Sequence, residues 1–218
     1  SSCKYAYEKN NATSFIHADL TKYSPKEIAN LYPDNSIKIL AGCAPCQAFS
    51  TYQQGNKKND KWKLLYSFGK IIEEIQPDIV SMENVPNLLK YNGGRVFNDF
   101  INVLKANDYF VSHKIVDAKD YGVPQRRKRL ILLASKLGEI NLIKKTHSGK
   151  RVKTVKQAIG HLPEIEAGES YHKDKLHRAR ELSELNLRIV RATRQGGGWK
   201  EWDDELVLDC HKKESGKS

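Results

Sequence analysis

Cys46 follows a proline in the run Ala44-Pro45-Cys46-Gln47-Ala48-Phe49-Ser50, and Glu83 sits in Met82-Glu83-Asn84-Val85. Arg127 and Arg129 stand in a third run, Gln125-Arg126-Arg127-Lys128-Arg129. These residue types make a nucleophile, an acid and a cluster of fixed cations. A thiolate is a strong nucleophile, formed more readily beside arginine or a helix N-terminus. A carboxyl at a strand end serves as a general acid when its surroundings keep a proton on it. Arginine donates several hydrogen bonds in a planar fork at constant charge. Each run alone has a plainer reading: a small buried cysteine, a strand-end glutamate in a salt bridge, a solvated basic turn. Their order in one basic chain is what joins them into chemistry.

A rival use of the first run is redox. Cys43-Ala44-Pro45-Cys46 is a CxxC after an apolar run, as in thioredoxin-like oxidoreductases. That chemistry wants the first cysteine at the opening of a helix and has no use for Glu83 or the arginines. No His/Cys grouping has zinc spacing, so no metal is expected. Four cysteines, Cys3, Cys43, Cys46 and Cys210, point to a reducing compartment, the cytoplasm, and not to a disulfide framework. No run of about 18 apolar residues predicts a membrane span, and Ser1-Ser2-Cys3-Lys4 has no apolar signal region. The formal net charge of +11 favours a polyanionic partner, nucleic acid foremost, and the excess collects between Lys119 and Lys156.

The elements that must position these residues follow from periodicity. Lys4 to Asn10 reads as the tail of a helix, and Ser24-Pro25-Lys26-Glu27 opens another with a capping box and proline at its first position. Ile37 to Ala41 is a short buried-type strand ending in Gly42. Leu64, Leu65, Phe68, Ile71, Ile72 and Ile75 recur at helical spacing until Gln76-Pro77 stops them. Asp78 to Met82 is a second strand with Glu83 and Asn84 at its carboxyl end. Phe97, Phe100, Ile101 and Leu104 mark a further helix; Tyr109–Val116 and Leu130–Ala134 are two more strands. This alternation predicts an α/β sheet with crossovers, in which ligands bind beyond the carboxyl ends of the strands. Cys46 and Glu83 both follow a predicted strand and so converge on one rim. Past Lys144 the pattern weakens: Thr154 caps a short helix ending near Leu162-Pro163, and the polar remainder carries Gly196-Gly197-Gly198.

In sequence order the three runs resemble the signatures of DNA (cytosine-5) methyltransferases: Pro45-Cys46-Gln47 with Phe49-Ser50, then Glu83-Asn84-Val85, then Gln125 to Arg129 after Tyr121-Gly122-Val123-Pro124. Asp19 matches an earlier family position that contacts the adenine of S-adenosylmethionine (AdoMet). The resemblance runs from the N-terminus to about Pro163, and more loosely over Arg188 to Trp202. It implies a Rossmann-like AdoMet-dependent sheet with helices on both faces. Residues 1–165 would form the catalytic domain and 166–218 the start of a target-recognition region. Asp19, Leu20, Pro45 and Leu64 would hold the cofactor, and Gln47, Ser50, Asn84 and Gln125 would contact double-stranded DNA or position its neighbours. The implied setting is a prokaryotic restriction-modification system acting on nucleoid DNA.

The implied mechanism accounts for each residue type. The Cys46 thiolate adds to cytosine C6, which makes C5 nucleophilic toward a methyl group. A protonated Glu83 carboxyl relieves the developing charge at N3, Arg129 donates to O2, and Arg127 holds the loop, a phosphate or the thiolate. A base removes the C5 proton and Cys46 is expelled; the sequence does not name that base. The target base must leave the stack to be reached, and the polar stretch Gln53, Gln54 and Lys57 to Lys61 has the composition of a closing lid. Within this frame Cys43→Ala should leave methylation largely intact. The same fold acting on tRNA is a rival disfavoured by Gln47; a non-catalytic DNA-binding remnant is another.

The family's Phe-x-Gly-x-Gly loop, which cradles the methionine part of AdoMet, has no counterpart in these residues, nor does the acid that grips the cofactor ribose. The later arginine-bearing motif and the final cofactor-side helix are likewise unmatched. The resemblance therefore implies the catalytic middle of an enzyme. The other motifs would belong to further segments of a longer chain, to a complementary subunit of a split enzyme, or to nothing in a truncated remnant. An intact mass well above that of 218 residues would identify the first.

Overall fold

A computed structural model describes residues 3–45, 60–174 and 176–212. The chain divides into two compact units, 1–158 and 159–218.

The first unit is built on a four-stranded sheet with strands β1 (Ile39–Gly42), β2 (Ile79–Asn84), β3 (Phe110–Asp117) and β4 (Lys128–Ser135) in the order β1-β2-β4-β3. β1 and β2 are parallel, joined through helix α3 (Lys63–Ile75); β4 runs antiparallel to both of its neighbours. Helix α4 (Arg95–Ala106) carries the chain from β2 to the edge, and β4 then inserts between β2 and β3. The sheet is thus mixed. The 118–127 connection contains only a 3-10 turn, Ala118–Tyr121, too short to return the chain for another parallel strand.

Strand alternation decides what the sheet offers on each side. Val80, Met82 and Asn84 of β2 and Leu130, Leu132 and Ala134 of β4 point into the core, each at most 1% exposed. They pack on Leu65, Phe68 and Ile72 of α3 and on Val96, Phe97, Phe100 and Leu104 of α4. The rings of Phe68 and Phe100 stack at 5.9 Å between the two helices. Burying one such side chain contributes about 1.5–3 kcal/mol, so this layer fixes the strands that carry the site. Gln76 adopts a left-handed conformation, its N–H capping Ile72 O at 2.8 Å, and Pro77 forbids a further turn.

Helices are expected on both faces of the sheet. Among the described residues α3 and α4 share the core cluster of one face, while the opposite face, with Ser81, Glu83, Arg129 and Ile131, stays half-exposed.

Helices α1 (Lys4–Asn11) and α2 (Pro25–Ala29) precede β1. The α2 start follows the expected box: Ser24 N–H donates to Glu27 Oε2 at 3.2 Å. Helix α5 (Val155–Ile159) also stands where its cap predicts, with Gln157 N–H donating to Thr154 Oγ1 at 3.2 Å. The second unit contains α6 (Glu184–Ala192) and α7 (Asp209–Lys212). Helix α6 is an addition to the sequence reading, which leaves the region as polar remainder. Ser183 caps it by accepting from Asn186 N–H, and only Ile189 is buried, so its apolar stripe is faint.

Candidate active site

The alignment of β1 with β2 pairs Gly42 with Met82, so the chain leaving β1 at Cys43 meets Glu83. Cys43 Sγ lies 3.0 Å from Glu83 Oε2. On the other side, β4 pairs Ile131 with Glu83, and Arg129 is two residues from Ile131 on the same face. That diagonal is within reach of a long side chain, and Arg129 Nε stands 2.7 Å from Glu83 Oε1. Arg129 also donates to Lys128 O at 2.8 Å, which fixes the plane of its guanidinium. Both Glu83 oxygens are therefore engaged, one by a cation and one by a thiol.

Asn84, the next residue, points the opposite way into the core, 1% exposed. Its Nδ2 donates to Ala44 O at 3.1 Å and its Oδ1 accepts from Val85 N–H at 2.8 Å. A buried amide without partners would cost about 1–3 kcal/mol; here it clips the segment entering Pro45-Cys46 to the end of β2. This supports a positioning role for Asn84, reached through the backbone. Residues 43–45 are not helical, contrary to what a thioredoxin-like CxxC requires of its first cysteine. Cys46, Gln47 and Ser50 lie outside the described residues, as do Gln53, Gln54 and Lys57 of the suggested lid.

The remaining basic residues separate. Arg127 is exposed, and its backbone closes the end of the β3–β4 ladder: its N–H donates to Asp117 Oδ1 at 3.0 Å and its carbonyl accepts from Ala118 N–H. Gln125 is exposed and turns on a short bond from its N–H to Val123 O. Neither side chain is brought to Glu83.

A cavity of about 780 Å³ opens on the other side of Cys43. Asp19, Leu20, Pro45 and Leu64, the four residues expected around a cofactor, all line it. Phe15 and Phe68 contribute rings that the motif reading does not pick out. The size is that of a small-molecule site, apolar with a few polar groups. Asp19 supplies one: its Oδ1 accepts from Thr21 Oγ1 at 2.8 Å and Thr21 N–H at 3.0 Å. The Thr21 hydroxyl, then its amide, hold the Asp19 carboxyl below the ordinary carboxylate range. Gly42 is required in the wall, because a Cβ there would sit 2.6 Å from Phe68 Cζ.

Asp120 is a further buried acid, 4% exposed, that the motifs do not single out. Its carboxylate takes Lys119 Nζ at 2.6 Å and Lys145 Nζ at 2.7 Å. Its carbonyl accepts from Thr146 and His147 N–H at 3.0 and 2.9 Å. Lys119 first, then Lys145, hold the Asp120 carboxyl below the usual range, and Asp120 in turn raises Lys145. The strip at 145–147 is thereby fastened to the turn that leads into Gln125–Arg129.

Comparison with known proteins names the family. A model of the C-5 cytosine-specific DNA methylase family matches residues 1–217, and the chain belongs to that family. The chain is 47% identical over 217 residues to Type II methylase M.HgiDII of Herpetosiphon aurantiacus, covering 100% of this chain and 61% of that protein. It is 40% identical over 126 residues to Type II methyltransferase M.SsoII of Shigella sonnei, covering 56% of this chain and 31% of that one. The chain thus spans less than two thirds of the length of these relatives. Among solved structures, Entamoeba histolytica methyltransferase EhMeth superposes with a TM-score of 0.52 at 25% identity over 66% of this chain and 46% of its own. A prophage-encoded E. coli protein shares the fold with a TM-score of 0.60 at 23% identity, over 76% of this chain and 47% of that one.

Proposed function

We propose that the chain carries the catalytic centre of a type II restriction-modification enzyme that transfers a methyl group from AdoMet to C5 of cytosine in double-stranded DNA. The observation that carries this reading is the Glu83–Arg129 pair, 2.7 Å apart on the half-exposed face of the sheet. N3 and O2 of cytosine are adjacent on one edge of the ring. A carboxyl and a guanidinium held side by side meet that edge together, the acid at N3 and the fork at O2.

Cys46 follows directly on the segment that Asn84 clips to β2. Its thiolate adds to C6 while Glu83, which takes up a proton as the base displaces Cys43 and Arg129 from its oxygens, gives that proton to N3; C5 then takes the methyl group, whose sulfonium donor leaves as the neutral thioether. A base then takes the C5 proton and N3 returns its proton to Glu83, which reforms the C5–C6 double bond and releases the thiolate. Arg127, exposed beside this edge of the sheet, holds a phosphate of the strand carrying the base, with Gln47, Ser50 and Gln125 around the extruded nucleotide.

AdoMet, when bound, supplies the methyl group. The cavity beside Cys43 fits it: Phe15, Leu20, Leu64 and Phe68 suit an adenine and a thioether chain, and Asp19 offers an acceptor for an exocyclic amine. Residues 1–165 form the catalytic domain in this reading, and 166–218 begin the region that chooses the DNA site. Methylation in the bacterial cytoplasm would protect nucleoid DNA from a cognate nuclease.

The test is transfer of labelled methyl from AdoMet to duplex DNA by the wild type and by Cys46→Ser, in the complete protein. Label that reaches cytosine C5 and disappears with Cys46→Ser is expected. Cofactor and DNA binding without any transfer by the wild type would overturn the reading.

A further inference from the structure

The excess of positive over negative charge is concentrated in a short part of the chain. Between Lys119 and Lys156 stand twelve Lys or Arg against two Asp or Glu, a local excess of ten in a chain whose total is +11. The second unit, 159–218, has eleven basic and twelve acidic residues. The second unit, which holds the proposed recognition region 166–218, is therefore close to neutral, and the net excess of positive charge lies in the first unit.

Part of the charge in 119–156 is already committed. Lys119 and Lys145 pair with Asp120, and Arg129 with Glu83. Lys144, Lys150, Arg151, Lys153 and Lys156 are not. All five are exposed, and among the described residues none has a carboxylate within ion-pair distance. Five cations within thirteen residues repel one another, and a solvated face usually relieves that with interspersed acids. Here Lys144–Lys156 contains none.

The strip is also placed. Asp120 grips Lys145 and, through its carbonyl, the N–H groups of Thr146 and His147; Tyr121 donates to Ile143 O at 3.2 Å. Gly122 is part of the same fit: its φ is +88°, and a Cβ would lie 2.8 Å from the His147 ring. The basic strip therefore starts against the turn that feeds Gln125–Arg129.

We propose that residues 144–156 are a phosphate-binding strip for double-stranded DNA, with Lys144, Lys150, Arg151, Lys153 and Lys156 as its contacts. It supplies most of the sequence-independent affinity, leaving 166–218 free to read bases. The proposal rests on the DNA-methyltransferase reading for the identity of the polyanion. Each phosphate neutralised releases condensed counterions, so log K falls with log salt by about 0.9 per contact.

The experiment is binding of the full chain to a labelled A·T duplex without cytosine, titrated across salt concentrations. The strip variant is K150Q/R151Q/K153Q, and the charge-matched control in the second unit is K173Q/R178Q/R180Q; circular dichroism checks both for folding. The expected result is a log–log slope reduced by about two to three with the strip variant, and affinity lower by roughly ten- to a hundredfold at moderate salt. The control should keep the wild-type slope. A strip variant with the wild-type slope, or a control that loses as much, would overturn the proposal, as would tighter binding of a matched RNA duplex. Methyl transfer by the wild type is scored separately. Transfer with an unchanged slope sinks the strip alone, and a changed slope without transfer sinks the enzyme reading alone.

Discussion

Arg129 Nε meets Glu83 Oε1 at 2.7 Å because β4 runs antiparallel to β2 with Ile131 opposite Glu83. The two residues come from separate sequence signatures, and the strand register alone makes them neighbours. A one-residue slip of β4 would send Arg129 into the core and Leu130 onto the open face. The packing of Leu130 and Leu132 on the helices thus fixes where the guanidinium stands.

Replacing Arg129 should damage chemistry more than binding. In the proposed mechanism Arg129→Ala removes the donor to cytosine O2, with an expected loss of about 10²–10³ in kcat for donors of this kind. Arg129→Lys should recover little, since an ammonium lacks the fork. Single-turnover methyl transfer, measured beside the Kd for duplex DNA, separates the two effects. A wild-type rate with Arg129→Ala would remove the residue from the mechanism.

Cys43 holds the other Glu83 oxygen, at 3.0 Å, and this contact is invisible in the motif, where Cys43 serves only as half of a CxxC. A thiol is a weak donor. Cys43→Ala should therefore slow transfer by less than about fivefold, with Cys43→Ser restoring it; the ceiling corresponds to a weak hydrogen bond of under about 1 kcal/mol. A larger loss that Cys43→Ser does not restore would overturn the weak-donor reading of this contact, while reduction of a disulfide substrate that needs both Cys43 and Cys46 would revive the dithiol reading.

What the sequence discloses here depends on range. Elements with strong local periods, α3 and β2 above all, are found within about two residues of their expected ends, because their burial patterns repeat. The three signatures identify Glu83 and Arg129 as a set. Distances between strands are not local information, so neither the antiparallel insertion of β4 nor the half-exposed sheet face follows from periodicity. Helix α6 is missed because a single buried residue, Ile189, leaves almost no period to read. Asp120 is missed for another reason: its partner Lys145 lies a whole strand away, across β4.

Asn84 offers a test of positioning. Asn84→Ala would leave Ala44 O and Val85 N–H without their partner in the core, at a cost of about 1–3 kcal/mol. For a chain of this size that is a fall in Tm of roughly 2–12 °C. Transfer should fall further than stability explains at a temperature where the variant is folded, because the segment before Cys46 loses its clip. A folded Asn84→Ala enzyme with normal kcat would show that the clip serves stability only.

Gly42→Ala should act on the cofactor. Its methyl would press on Phe68, whose ring closes the cavity wall 2.6 Å away, and the ring can yield only toward the cavity or into the packed layer with Phe100. AdoMet affinity is expected to drop about tenfold, with DNA affinity unchanged; isothermal titration of each ligand reads this directly. Equal weakening of both would instead indicate general unfolding of the sheet edge.

The Asp120 clamp should leave its mark on acid stability. Its carboxyl is held below the ordinary value by Lys119 and Lys145, so the folded state favours the ionised form. The stabilisation is present above the unfolded value of about 3.9 and is lost as pH falls through the lower folded one. Lys145 is raised, so its share is full below about 10.4 and disappears only as pH climbs through the higher folded value. The pair is therefore at full strength across neutral pH. The Tm difference between wild type and Asp120→Asn should be constant from about pH 5 to 9 and shrink below about pH 4, where the wild-type carboxyl also takes up a proton. The variant should also lose some of the salt-dependent DNA affinity, since Lys145 to His147 would no longer be fastened beside the arginine turn. A Tm difference that persists undiminished at pH 2.5 would mean that the charge of Asp120 is not what holds the strip, and that its backbone contacts to Thr146 and His147 suffice.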